Sequence, residues 1–352
     1  MPKKKVLFFL PSGVGGAERV TITIAKMLDR EKFDVKFVIV GRSKGDISEL
    51  IPETYPIELL YVYNIWCFAT LKIINLLKRE RPDTVFCSLR YLNPRVILAA
   101  LIVGRIKTII RNDNTLQTLS MLQRLFIKAS YRWADVIIAQ QEEMRNEILS
   151  FTNTPGSKII ALQNPLDIEM IDGKVEKSQS PYRDDGIHYV CVGRIGKHKG
   201  QDVLISAFNI VHNKDAKTHL YLVGQYSQND TYYKDLCQEI NLYHLNDFVH
   251  FVGYTDNPYV WIKYADCCVL SSRNEGLPNV LLEALYLKTP SVATKCIPVI
   301  ERIIKDGETG MLVPSEDYQS MANAMIDALT HRFMWSDTFS STNATFIHLF
   351  ES

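Results

Sequence analysis

The sequence predicts two doubly wound α/β domains in tandem, and three observations carry that prediction. Apolar runs of strand length alternate with helix-period segments through both halves of the chain. One polar stretch near the middle, Asp172–Gly186, reads as a linker. The length, 352 residues, is long for one domain and comfortable for two. The boundaries read as a first domain over 1–168, a linker over 169–186 and a second domain over 187–335. A C-terminal segment, 336–352, reads as crossing back to the first domain.

The elements follow in order. Val6–Leu10 is a buried strand running into Pro11-Ser12-Gly13-Val14-Gly15-Gly16-Ala17-Glu18, and the next helix sets Val20, Ile24, Met27 and Leu28 on one face. Val35–Val40 is the second strand. Glycines at such a strand-to-helix turn place backbone amides where a phosphate can sit. A dinucleotide-binding reading fails on two counts. The spacing is not GxGxxG, and Gly41-Arg42 stands where that reading needs a carboxylate. Ile65–Leu77 is helix-like, Pro82–Cys87 is turn and strand, and Lys107–Ile110 is a strand ending at Arg111-Asn112-Asp113-Asn114.

Leu116–Trp133 is amphipathic, with Leu119, Leu122, Leu125, Phe126 and Ala129 set against Arg124, Lys128 and Arg132. It reads either as a surface helix packed on the sheet or as a basic–aromatic face resting on anionic lipid headgroups. Val136–Ala139 and Ile159–Ala161 are further strands. The second half repeats the alternation: strand Tyr189–Val192, helix Asp202–Val211, strand His219–Val223, helix Tyr232–Ile240, strand Val249–Phe251 and the strand end Cys267–Leu270.

Composition narrows the class. Apolar content of 47% and charged content of 22% are those of a soluble globular protein. The seven cysteines are odd in number and lack CxxC spacing, so they read as buried thiols in a reducing compartment, not as disulfides or a metal site. The basic start before Val6–Leu10 is cut short at Pro11, too soon for a signal peptide, and Val96–Val103 is too short to span a bilayer. The expectation is a cytoplasmic protein. Its net charge of +1 hides a polarity: residues 1–165 carry 24 Lys and Arg against 15 Asp and Glu, and the remainder 16 against 24. The first half therefore suits an anionic surface and the second does not; the partner expected is a membrane's inner face and not nucleic acid.

The most informative stretch is Ser271-Ser272-Arg273-Asn274-Glu275-Gly276-Leu277-Pro278-Asn279-Val280-Leu281-Leu282-Glu283-Ala284. It follows a strand end, turns at Gly276 and enters a helix whose first turn suits Pro278. A helix start at the end of a parallel strand is an anion site. Glu275 lies in the turn, and Glu283, one turn into the helix, leans back toward it. Two carboxylates would repel a bare phosphate. They make sense as acceptors for hydroxyls on either side of a phosphate, the order of a sugar, a diphosphate and a ribose.

The Glu-x7-Glu spacing in that setting resembles the donor-site signature of retaining glycosyltransferases of family 4, which have the GT-B fold of two Rossmann-like domains facing across a cleft. The glycine loop with Gly15 and Gly16 is similar to the loop that approaches the donor's distal phosphate. Gly193-Arg194-Ile195-Gly196-Lys197-His198-Lys199-Gly200 is similar to the element that holds the diphosphate, with Lys197 and His198 read as solvated neighbours. Gln163-Asn164-Pro165-Leu166-Asp167 resembles the inter-domain step, and Phe339–Phe350 the last helix. Val252-Gly253-Tyr254-Thr255-Asp256-Asn257-Pro258-Tyr259 and Arg111-Asn112-Asp113 resemble the subgroup of surface-polysaccharide synthesis.

The resemblance implies a hexose or N-acetylhexosamine moved, with retention, from a nucleoside-diphosphate sugar, UDP-linked in most of the family. The acceptor implied is a saccharide, lipid-linked at a membrane. It implies no metal and no cofactor beyond the donor. Glu275, Arg194, Lys199 and Asp113 are the catalytic candidates. Gly15, Gly16, Arg194, Lys199, the backbone at Tyr254, Glu275, Gly276, Leu277, Pro278, Asn279 and Glu283 are the donor-binding candidates. Three features depart from the pattern. Lys288 stands where the family has glycine, Lys295–Val299 lacks glycines, and all eight histidines lie at 188 or later. A nucleotide-sugar epimerase or a nucleotide-binding scaffold would share the donor motifs.

Overall fold

The computed structural model describes residues 2–63, 69–112, 116, 119–183, 185–335 and 339–351. The chain divides into two compact units, residues 1–165 with 338–352, and residues 166–337. In the first unit seven parallel strands form one sheet: β1 (Lys4–Pro11), β2 (Phe33–Gly41), β3 (Ile57–Tyr61), β4 (Thr84–Cys87), β5 (Lys107–Asn112), β6 (Val136–Ala139) and β7 (Ile159–Ala161). Their order is β3-β2-β1-β4-β5-β6-β7. The run Val6–Leu10 is buried on both faces, as an apolar strand covered by helices on each side must be.

The helix Phe339–Glu351 completes this unit. Phe346 and Phe350 enter the core with Phe8 and Phe86, and the Phe350 ring stacks on Phe8 at 5.6 Å. Lys4 Nζ donates to the Glu351 carbonyl at 2.5 Å and Lys107 Nζ to the Leu349 carbonyl at 2.8 Å. Two lysines at strand starts thus satisfy carbonyls that a helix end leaves open, where its dipole favours cations.

In the second unit six parallel strands follow: β8 (Ile187–Val192), β9 (Thr218–Val223), β10 (Val249–Gly253), β11 (Cys267–Leu270), β12 (Ser291–Thr294) and β13 (Met311–Val313). Their order is β10-β9-β8-β11-β12-β13. Counted from its own first strand, each sheet therefore runs 3-2-1-4-5-6 over its first six strands, the order of doubly wound nucleotide-binding sheets. The direction of winding reverses between β1 and β4 and again between β8 and β11. Ligands of open α/β sheets bind outside the carboxyl ends of the strands at that reversal.

Two expectations need correction. The linker placed over 169–186 begins with a helix, Ile168–Glu176. Asp167 caps it, accepting from the Met170 amide at 3.1 Å. The helix packs on the second unit, where Asn257 Nδ2 donates to the Lys174 carbonyl at 3.1 Å and the Tyr286 hydroxyl donates to Asp172 at 2.8 Å. Ile168, Ile171 and Val175 form a helical stripe that the surrounding polar residues disguise. The expected helix over Leu116–Trp133 runs only from Met121 to Ser130, opened by a Ser120–Gln123 capping box. Its buried residues are Ile127 and Ser130, while Leu122, Leu125 and Phe126 face solvent. The helix read from Ile65 is described from Ala69 to Glu80, and residues 65–68 lie outside the described residues. Strand β3 and the helices Asn93–Val103 and Glu142–Phe151 were not read from the sequence. Among the described residues no helix is long and apolar enough to cross a membrane.

Candidate active site

The switch point of the second unit gathers the conspicuous residues. After β8 the chain turns through Gly193–Gly200, and after β11 it turns through Ser271–Pro278. The two turns are fastened together. Gly200 has φ of 66°, and a Cβ placed there would meet the Ser271 carbonyl oxygen at 2.1 Å, so only glycine lets the backbones approach this closely. The Ser271 hydroxyl donates to the Lys199 carbonyl at 2.9 Å. Buried Gln201 holds the first turn, donating to the Arg194 carbonyl at 3.1 Å and accepting from the Gly196 amide at 3.3 Å.

This fastening brings Lys199 and Glu275 into contact: Lys199 Nζ lies 2.6 Å from Glu275 Oε1. The Ser272 hydroxyl donates to the same oxygen at 2.6 Å, and Thr294 of β12 donates to the Ser272 carbonyl at 2.5 Å. Glu275 Oε2 accepts no hydrogen bond among the described residues. The side chains are 20% and 9% exposed, so the pair opens to solvent through a narrow aspect. One carboxylate oxygen is anchored and the other is available. That suits an acceptor for a hydroxyl beside a cation that can face a phosphate.

Arg273 is the residue of this turn that the sequence reading passed over. Its guanidinium donates to both carboxylate oxygens of Asp202 at 2.7 Å, to the Lys197 carbonyl at 2.7 Å and to Glu316. Hydrogen bonds to Asp202 and then Glu316 hold the Arg273 guanidinium well above its ordinary value. Burial alone would raise the Asp202 carboxyl, but the bonds from Arg273 and from the Tyr232 hydroxyl outweigh it and keep Asp202 low. The signal available in the sequence was a lone arginine between Ser271-Ser272 and the Glu275 turn, which no spacing rule connects to positions 202 and 316.

The following helix runs Asn279–Leu287, and Pro278 is its cap, one residue earlier than expected. Gly276 is exposed, its φ lies outside the left-handed region, and a Cβ there would meet nothing within 4 Å. The turn itself therefore does not require glycine; the space is left open to whatever binds. Glu283 is half-buried on this helix, and burial pushes its carboxyl up to about 7. The helix closes at Lys288, which takes the left-handed conformation at φ of 58°. The family's glycine at this place suits that conformation, and lysine costs about 1 kcal/mol more.

Arg194, Tyr254, Lys197 and His198 are exposed. Leu277 and Asn279 are half-buried and Pro278 is buried. Beneath the site burial pushes the Cys191 thiol up to about 12 and raises Cys267 and Cys268, which leaves them as inert packing groups. Among the described residues no cluster of three metal-ligating side chains occurs.

Gly15 and Gly16 lie in the first unit at the carboxyl end of β1, Gly15 capping the helix Gly16–Lys26. A Cβ at Gly16 would meet nothing within 4 Å. Asp113 lies outside the described residues. Its neighbour Arg111 is fully buried, donating to Ser88 Oγ at 2.8 Å and to Asn164 Oδ1. Asn112 accepts from the Tyr131 hydroxyl at 2.8 Å. The Arg-Asn step that ends β5 and the Asn-Pro step after β7 are thus one hydrogen-bonded assembly.

Two doubly wound sheets, one of them carrying an anchored carboxylate and a lysine at its switch point, are the architecture of the GT-B fold class. Residues 14–170 match the family described as Glycosyltransferase Family 4, and residues 186–331 match Glycosyl transferases group 1. Between them the two matches take up most of the chain, and the chain belongs to this glycosyltransferase family as a hexosyltransferase. It is 26% identical over 347 residues to an uncharacterized glycosyltransferase of Methanocaldococcus jannaschii, covering 90% of this chain and 82% of that one. It is 27% identical over 338 residues to the N-acetylgalactosamine-N,N'-diacetylbacillosaminyl-diphospho-undecaprenol 4-alpha-N-acetylgalactosaminyltransferase of Campylobacter jejuni, covering 91% and 88%. In fold it is similar to Anabaena HepE, solved in complex with UDP, with a TM-score of 0.80 and 18% identity over 99% and 98% of the two chains.

Proposed function

We propose that this glycosyltransferase moves a hexose or N-acetylhexosamine, with retention, from a UDP-sugar to a lipid-linked saccharide in surface-polysaccharide or related glycan synthesis. The observation that carries the reading is the Lys199–Glu275 pair, with Glu275 Oε2 open beside a glycine whose Cβ space is empty. Glu275 would accept from a hydroxyl of the donor sugar. Lys199 and Arg194 would face the diphosphate, and Glu283 would accept from the ribose. In the step proposed, the acceptor hydroxyl oxygen bonds to the anomeric carbon as the bond from that carbon to the β-phosphate oxygen breaks. The hydroxyl proton passes to the departing phosphate, and UDP leaves with the electron pair. Charge grows on the β-phosphate, so a fixed cation and helix amides there lower the barrier. Retention follows if attack comes from the face the diphosphate leaves.

The donor is supported by the fold relationship to a protein solved with UDP, and the acceptor by a relative whose name specifies a diphospho-undecaprenol substrate. An anionic membrane surface suits the first unit. Met121, Leu122, Leu125 and Trp133 are exposed beside Arg124, Lys128 and Arg132. Release of UDP from a panel of UDP-sugars, with and without membrane lipid extract, tests the reading, and NMR of the product anomer tests retention. Turnover on one sugar that rises with lipid extract and gives the donor's anomer supports it. No turnover on any member, with UDP bound, refutes it.

A further inference from the structure

The geometry of the Lys199–Glu275 pair is set from behind, by a residue that is not itself part of the pair. Arg273 uses all its guanidinium donors: Nε and Nη2 to Glu316, Nη1 and Nη2 to Asp202, and Nη1 to the Lys197 carbonyl. Its backbone amide donates to the His198 carbonyl at 2.9 Å. Lys197 and His198 belong to the turn that ends in Lys199, and Arg273 stands two residues before Glu275. We infer that Arg273 is a positioning residue of the transfer reaction. By clasping Asp202 and Glu316 it fixes the loop that carries Glu275 against the turn that carries Lys199. The inference rests on the reading of Lys199 and Glu275 given above.

A second observation points the same way. Glu316 holds a left-handed backbone at φ of 66°, a conformation that glycine adopts freely and glutamate does not. Its carboxylate makes two hydrogen bonds to Arg273. Strained backbone persists where the surroundings over-determine it, and it gathers around functional sites. Here the strained residue supplies half of the clasp. Lysine at 273 would keep the charge but not the fork, so it could not hold both carboxylates in fixed directions.

The bland alternative is that Arg273 only stabilises the fold, and Glu316→Gly separates the two. Glycine relieves the backbone while removing one arm of the clasp, so stability is held and positioning is lost. In the full-length chain, Glu316→Gly and Arg273→Lys are expected to keep a Tm close to that of wild type. Amide hydrogen exchange should rise about tenfold in residues 271–276 and 197–200 and nowhere else. The kcat for UDP-sugar turnover should fall about tenfold or more, since small misplacements at a reacting centre are costly. The Kd for UDP should change less than about threefold. Unchanged exchange in those segments, or a loss of kcat that tracks Tm and Kd together, would overturn the inference. If wild type turns over no UDP-sugar, the donor reading fails. The exchange comparison then still decides the clasp.

Discussion

Lys199 Nζ and Glu275 Oε1 lie 2.6 Å apart, although the residues are 76 positions apart in the chain. Each comes from the carboxyl end of a different strand, β8 and β11, which are neighbours only because the sheet reverses its winding between them. The pair is therefore a product of topology first and side-chain chemistry second. Its energy as an ion pair is a minor matter. Its value is to hold a carboxylate in one direction while leaving Oε2 free.

Glu283 makes stability depend on pH. Its carboxyl is raised from 4.5 to about 7, so below pH 4.5 both folded and unfolded chains carry it neutral and no penalty arises. As pH rises from 4.5 to 7 the unfolded chain ionises first, and stability is lost across that window. The full loss, present above pH 7, is at most roughly 3 kcal/mol. Glu283→Gln is expected to raise the urea midpoint at pH 8 and leave it unchanged at pH 4. The same variant should bind UDP more weakly, because an amide accepts from ribose hydroxyls less well than a carboxylate.

Lys288 should be replaceable at a gain. It is a non-glycine residue in the left-handed region at a helix end, where glycine is the usual occupant. Lys288→Gly is expected to stabilise by about 0.5–1 kcal/mol, read as a Tm rise of about 1–4 °C in a calorimetric scan. An unchanged or lower Tm would show that the lysine side chain contributes more than the backbone costs.

Two glycines of the site should respond in opposite ways. Gly200→Ala forces a Cβ onto the Ser271 carbonyl at 2.1 Å and strains a φ of 66°. It is expected to cost about 2–4 kcal/mol in denaturant unfolding. Gly276→Ala meets nothing within 4 Å, so its stability should stay within about 0.5 kcal/mol of wild type. Turnover should nevertheless fall about tenfold or more, because the methyl occupies space the donor needs.

The exposed apolar face of the helix Met121–Ser130 should be felt at vesicles. Sedimentation with anionic vesicles is expected to capture the wild-type chain more than neutral vesicles do, and less so as salt rises. Leu122→Gln with Leu125→Gln should lower the partition coefficient about thirtyfold or more, since burial of each side chain contributes on the order of 1–2 kcal/mol. Equal partition of wild type and variant would assign that face another role.

The sequence revealed what is periodic or local. Strand–helix alternation made both sheets legible, and the Gly276–Pro278 turn between a buried strand and a helix made the switch-point site legible with them. It concealed what depends on distant partners. Arg273 finds Asp202 and Glu316 across 71 and 43 positions, and nothing in its neighbourhood announces either. The helix Ile168–Glu176 was hidden because only three apolar residues mark its packed face. The helix Met121–Ser130 misled in the reverse sense: its apolar positions repeat at helical spacing yet point outward, and periodicity cannot say which face meets the sheet.

The most direct test of the account is UDP release from the preferred UDP-sugar by wild type, Glu275→Gln and Lys199→Ala, with Tm measured on each. The account predicts a fall in kcat of about a hundredfold or more in both variants with the fold intact. Turnover by Glu275→Gln equal to that of wild type would contradict it.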